Sequence, residues 1–180
     1  MFKDTTLRQT LHMSVGGSRI RVQISNTFGG SDLPITRASV ALPTGSKIGV
    51  SGIDTSTLAG LTFKGSSSVT VPRGQVVYSD ALDFLIEPQS MLTVSLYLQG
   101  GQPGNKITGH PGSRTTSWMQ SGNHLNASTV TGASTKHWYY VSIVEAWAPV
   151  NTTAFVILGD SITDGRGSDD DKNNRLVLNA

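Results

Sequence analysis

Ser161 is the side chain of this sequence whose setting most resembles a reactive centre. It stands in Gly159-Asp160-Ser161-Ile162-Thr163-Asp164-Gly165, directly after the apolar run Ala154-Phe155-Val156-Ile157-Leu158. An unbroken apolar run is what a strand covered on both faces needs. A serine just past the carboxyl end of such a strand sits where open α/β sheets place their reactive groups. A serine hydroxyl is unreactive at neutral pH unless a neighbouring base takes its proton. The chain contains four histidines, His12, His110, His124 and His137, all upstream, and none among the 19 residues after Ser161. With no cysteine, thiol catalysis, disulfides, Cys-ligated zinc and iron–sulfur clusters are excluded.

Two further groups of residues have the types that bind ligands. His110-Pro111-Gly112-Ser113-Arg114-Thr115-Thr116-Ser117-Trp118 is a polar loop in which Arg114 offers a fork of donors and Trp118 a flat platform. His137-Trp138-Tyr139-Tyr140, with Trp147, is the densest aromatic cluster in a chain that is only 7% aromatic. Sugars dock on aromatic faces while polar neighbours take their hydroxyls, so His110, Arg114, Trp118, Trp138 and Tyr140 are the candidate contacts for a glycan. On one continuous strand, Trp138, Tyr140 and Ser142 share a face. Asp164, Asp169, Asp170 and Asp171 lack calcium-loop spacing with a closing Glu, so they read as a solvated acidic tail; no metal and no cofactor is implied.

The elements that must position these residues are β-strands. Ser and Thr make up 42 of the 180 residues and Gly another 20, a composition that argues against helical bundles. Leu7, Gln9, Leu11, Met13 and Val15 alternate with Arg8, Thr10, His12 and Ser14, and Ile20, Val22 and Ile24 alternate with Arg19, Arg21 and Gln23. These runs read as two strands joined in a hairpin across Gly16-Gly17, with their charges toward water. Ile35 to Leu42, Ser67 to Val71, Gln75 to Ser79, Met91 to Gln99 and Trp138 to Trp147 read the same way, with Leu92, Val94, Leu96 and Leu98 as an inward set. Gly100 to Thr135 is either a long loop system or several very short strands. The expected fold is all-β: an antiparallel β-sandwich over residues 1–149, jelly-roll or immunoglobulin-like, then an extension over 150–180 carrying one apolar strand.

The block Val156-Ile157-Leu158-Gly159-Asp160-Ser161-Ile162-Thr163-Asp164-Gly165 resembles the first sequence block of the SGNH, or GDSL-type, ester hydrolases. A β-sandwich of this length ahead of it is similar to the non-catalytic front half of secreted two-domain fungal members, and the His110–Trp118 loop is similar to one beside their catalytic cleft. The resemblance implies that Ser161 holds the nucleophile position and that its backbone N–H is an oxyanion donor. It also implies a base and its acid partner from an Asp-x-x-His block, and further oxyanion donors from a Gly and an Asn. Residues 162–180 carry no such block, so the expectation is a truncated hydrolase domain with a vestigial Ser161. Triad members act as a unit, and loss of the base removes most of the rate enhancement. The expected function is that of a non-catalytic sandwich binding a glycan or a protein partner. The alternative is a serine ester hydrolase in which the sandwich or another subunit supplies the base.

Charge and hydropathy bound the partners. A formal charge of +2 from scattered basic residues gives no basic stripe for nucleic acid. No apolar run reaches the roughly 18 residues of a membrane span. The first residues contain no apolar leader, and the sequons at Asn126 and Asn151 together with the family resemblance suit a secreted protein. Without parallel neighbours, strand 154–158 is expected to add to the sandwich edge or join a homodimer, because an open apolar edge invites pairing.

Overall fold

The computed structural model describes residues 1–153 and 156–174. Fourteen strands are found among them: β1 (Thr5–Met13), β2 (Gly17–Ser25), β3 (Leu33–Ile35), β4 (Arg37–Ala41), β5 (Ala59–Leu61), β6 (Val69–Val71), β7 (Val76–Tyr78), β8 (Leu82–Ile86), β9 (Ser90–Leu98), β10 (Gly109–His110), β11 (Ser117–Ser121), β12 (Ala133–Thr135), β13 (Trp138–Tyr139) and β14 (Val141–Ala146). All pairings are antiparallel. One sheet runs β12-β11-β1-β9-β4-β5, and a second runs β14-β2-β7 with β8 also paired to β2. The all-β expectation holds, and Gly100 to Thr135 resolves into short strands β10, β11 and β12.

The core lies between the two sheets because period-2 alternation gives each strand one apolar face. Leu7, Leu92, Val94, Leu96 and Leu98 from the large sheet meet Ile20, Val22 and Ile24 from the second, all at 0–1% exposure. Register aligns these layers: Leu7 lies opposite Leu96 and Ala38 opposite the same leucine on the other side. Sequence punctuation splits some expected strands. Ile35 to Leu42 becomes β3 and β4, which join different sheets, and Trp138 to Trp147 becomes β13 and β14. The break in the latter is Tyr140, held at φ +63°, which cancels the shared face expected for Trp138 and Tyr140.

Two expectations about the first strands are overturned. β1 pairs with β9 and β11, and β2 with β7, β8 and β14, so no hairpin joins them. Gly16-Gly17 instead carries the chain from one sheet to the other through a narrow gap. A Cβ on Gly16 would lie 2.7 Å from the Ile86 carbonyl oxygen, and one on Gly17 would lie 2.6 Å from that of Trp147. Gly17→Ala is therefore expected to lower stability by about 1–3 kcal/mol, as overpacking against backbone does. A chemical-denaturation midpoint unchanged from wild type would contradict this.

The second correction concerns the polar face of β1. Thr6, Arg8 and Thr10 alternate with apolar residues as water-facing side chains do, yet all three are fully buried. Loops carrying Ser51, His124 and Leu125 cover this face. Arg8 donates from Nε to Ser95 Oγ (3.1 Å), from Nη1 to Ser51 O (2.9 Å), and from Nη2 to His124 O (3.0 Å) and Leu125 O (3.3 Å). Polar alternation records that a face has hydrogen-bonding groups; it does not distinguish water from carbonyls as their partners.

Candidate functional site

A cleft of about 500 Å³ opens between the sandwich and the segment that follows it. One wall is the end of β1 (Leu11, His12, Met13), with Trp138 of β13 and Val144 of β14; the other is Ile157, Asp160, Asp164 and Asn173. The Trp138 indole N–H donates to Thr10 O at 3.0 Å, fixing the ring, and the His110 ring centroid lies 5.9 Å from it. Gln9 fixes β13 from below, its side-chain amide donating to Tyr139 O at 2.9 Å and accepting from Tyr139 N–H. His12 Nδ1 is buried without a hydrogen-bond partner among the described residues. Burial lowers the pKa of this imidazole from its usual 6.5, which keeps it neutral at neutral pH.

The Gly159–Gly165 turn is closed by its own backbone. Asp160 Oδ1 accepts from Ile162 N–H (2.9 Å), Asp160 O from Asp164 N–H (3.0 Å), and Ser161 O from Arg166 N–H (2.7 Å). Ser161 is exposed, and its Oγ has no hydrogen-bond partner among the described residues. None of the four imidazoles is bonded to it. His110 Nε2 meets Asp164 Oδ2 at 3.0 Å, and His124 Nε2 meets Ser121 O at 2.8 Å. Val156, Ile157 and Leu158 form no strand, and Val156 and Leu158 are exposed. The expected apolar strand is thus absent from this part; its first two residues, 154 and 155, lie outside the described residues.

Asp171 ties the segment down, contrary to a freely solvated acidic tail. Its carboxylate accepts from Thr116 N–H (2.7 Å), Thr116 Oγ1 (2.5 Å) and Lys136 Nζ (2.9 Å), while its own N–H donates to Arg114 O (2.9 Å). Burial alone would raise its pKa. The Thr116 and Lys136 donors outweigh that, and the group titrates below the ordinary carboxylate range. Arg114 reaches Asp170 at 3.8 Å. Three carboxylates of the segment thus meet three cationic or imidazole side chains of the sandwich. The acidic run is visible in the sequence, but Thr116 and Lys136, which receive it, carry no signal of their own.

The other anticipated ligand contacts divide by burial. His110 and Arg114 are half-buried and engaged by Asp164 and Asp170. Trp118 is half-buried with its indole N–H donating to Gly49 O at 2.9 Å. Trp138 lines the cleft. Tyr140 is 1% exposed, so its ring belongs to the core and is closed to a ligand, which corrects its place among the contacts. Burial also pushes the Tyr140 hydroxyl above its usual pKa of 10. Among the described residues no cluster of three or more His, Asp or Glu is arranged to hold a metal ion, and no helix is long and apolar enough to cross a membrane. Compared with known proteins, the chain matches no protein-family model, and no curated protein is significantly similar to it.

Proposed function

We propose that this chain is a non-catalytic β-sandwich of SGNH ester-hydrolase lineage, secreted, that binds a short saccharide in the cleft beside Trp138. The observation that carries the loss of chemistry is the state of Ser161: its hydroxyl stands in solvent with no imidazole bonded to it, and an alcohol without a base is not a nucleophile at neutral pH. The cleft suits a saccharide because a fixed indole and the apolar side chains of Leu11 and Met13 face Asp160, Asp164 and Asn173, which supply acceptors and an amide for hydroxyl groups.

Hydrolysis of p-nitrophenyl acetate by wild type and Ser161→Ala is expected to be indistinguishable, and turnover that depends on Ser161 would overturn the reading. Calorimetric titration with cellobiose and xylobiose tests the cleft: Trp138→Ala should abolish heat of binding. One contact favours the alternative, a serine ester hydrolase. The carboxylate of Asp164, three residues from Ser161, is hydrogen-bonded to the His110 imidazole, as the acid partner of a catalytic base would be. The same esterase assay with His110→Ala decides between them, since only the hydrolase would lose Ser161-dependent activity.

A further inference from the structure

The outer face of the second sheet carries an exposed aromatic platform that the cleft does not involve. Of the three tryptophans, Trp118 and Trp138 spend their indole N–H groups on backbone carbonyls, whereas Trp147 is 73% exposed and its side chain has no hydrogen bond or ring contact among the described residues. A single exposed ring is ordinary, but Leu85, Ile143 and Tyr78 of the same sheet are exposed as well, and together they form an apolar surface whose burial under a ligand would be favourable. Val144 and Ala146 of β14 pack on the core, which turns Glu145 and Trp147 outward.

The neighbours of Trp147 are ordered by strand register. Its backbone N–H donates to Arg19 O at 2.7 Å, which sets it opposite Arg19 on β2. Arg19 Nε bonds Asp83 Oδ1 at 2.6 Å, and Arg21 Nε bonds Glu145 Oε2 at 2.5 Å. Arg21 also lies over the Tyr78 ring, 4.4 Å from its centroid. Tyr78 lies opposite Gln23. Two strand spacings across and four residues along put the Tyr78 and Trp147 positions roughly 16 Å apart on the diagonal. Between the rings lie two cations and two anions, paired with one another, so the strip carries no net charge. Each pair holds planar donors and acceptors in place, with lone pairs and N–H groups left over for a ligand.

We propose that this strip binds a neutral polysaccharide, with Trp147 as the stacking platform, Tyr78 as the far end, and the Arg19–Asp83 and Arg21–Glu145 pairs taking hydroxyl groups along the chain. A polyanion would meet Asp83 and Glu145, and a polycation Arg19 and Arg21; an uncharged polyhydroxylated chain meets neither penalty. The site is separate from the cleft and does not depend on the lineage of Ser161.

Affinity electrophoresis in gels containing hydroxyethylcellulose, arabinoxylan or mixed-linkage glucan tests it. The wild-type chain is expected to be retarded by at least one polymer. Trp147→Ala should weaken that binding by about tenfold or more, as loss of a central aromatic anchor does. Trp147→Phe should keep much of it, and the same loss with Trp147→Ala is expected in a Trp138→Ala background, where the cleft no longer contributes. Circular dichroism of Trp147→Ala should match wild type, because the side chain is exposed. Wild type running freely in all three gels, or Trp147→Ala retarded like wild type, overturns the proposal. So does light scattering that finds a dimer which Trp147→Ala dissolves, for the face would then cover a second copy of the chain.

Discussion

Arg8→Met is expected to lower the stability of the chain by about 3–5 kcal/mol, more than the loss of any other single side chain of β1. Arg8 is fully buried, and its guanidinium is surrounded by neutral acceptors with no carboxylate among them. Burial lowers its pKa to about 10, which still leaves it charged at neutral pH. The cation is a common donor for two loops that also bond to each other over β1, Ile53 N–H to Ser128 O at 2.8 Å and Val130 N–H to Ser51 O at 3.4 Å. Ser51 O and His124 O also accept from Val130 N–H and Ala127 N–H, but Leu125 O and Ser95 Oγ depend on Arg8. Methionine fills part of the volume and leaves those groups unpaired, at about 1–3 kcal/mol for each buried group. Arg8→Lys should restore little, since an ammonium lacks the fork that spans three directions. Urea unfolding followed by circular dichroism measures the loss; a change below about 1 kcal/mol would mean that the loops are held by something else.

Asp171→Ala should release the segment 156–174 from the sandwich. The side chain gathers a backbone amide, a hydroxyl and an ammonium, and charge-assisted hydrogen bonds of this kind contribute about 1.5–3 kcal/mol each when partly shielded. Gly49 makes the contact geometrically possible: a Cβ there would lie 2.2 Å from Asp171 Oδ1, and its φ of +74° suits glycine. Tryptic cleavage after Arg166, which is exposed, should accelerate by about tenfold in the variant. Unchanged cleavage would show that His110–Asp164 and Arg114–Asp170 suffice. The pH dependence has a definite sign. Because the folded-state pKa lies below the unfolded one, the contribution is complete above the ordinary carboxylate range. It disappears as pH falls through the depressed value. Docking is thus expected to be intact at about pH 5 and to weaken progressively below about pH 4, as hydrogen exchange over the segment would report.

How much of this is legible in the sequence depends on whether a feature is local. The run Met91 to Gln99 announces β9 because apolar residues every second position specify both the strand and the side that faces the core, although its other side is buried as well. The glycines at 16 and 17 announce a turn but not its destination. A reversal within one sheet and a crossing between two sheets use the same residues, and only the partners of β1 and β2 distinguish them. Arg8 reads as solvated because a polar side chain at an alternating position has the same spacing whether water or a loop covers it. Tyr140 reads as a ligand contact because its φ of +63°, which ends β13 and turns the ring inward, leaves no trace in a continuous aromatic run.

By itself, the order of residues determined that the chain is built from antiparallel strands, which leucines, valines and isoleucines form its centre, and that a Gly-Asp-Ser turn follows the sandwich. These properties follow from the pleat and from turn chemistry, which act over a few residues. The tertiary structure alone decided that, among the described residues, none of the upstream imidazoles is bonded to Ser161, that Asp171 is clamped by Thr116 and Lys136, and that Trp147 rather than Tyr140 faces water. The clamp joins residues 55 and 35 positions apart, and the exposure of each ring depends on which face of a sheet is covered. Such pairings are selected by the packing of whole sheets, a choice no short stretch of sequence contains.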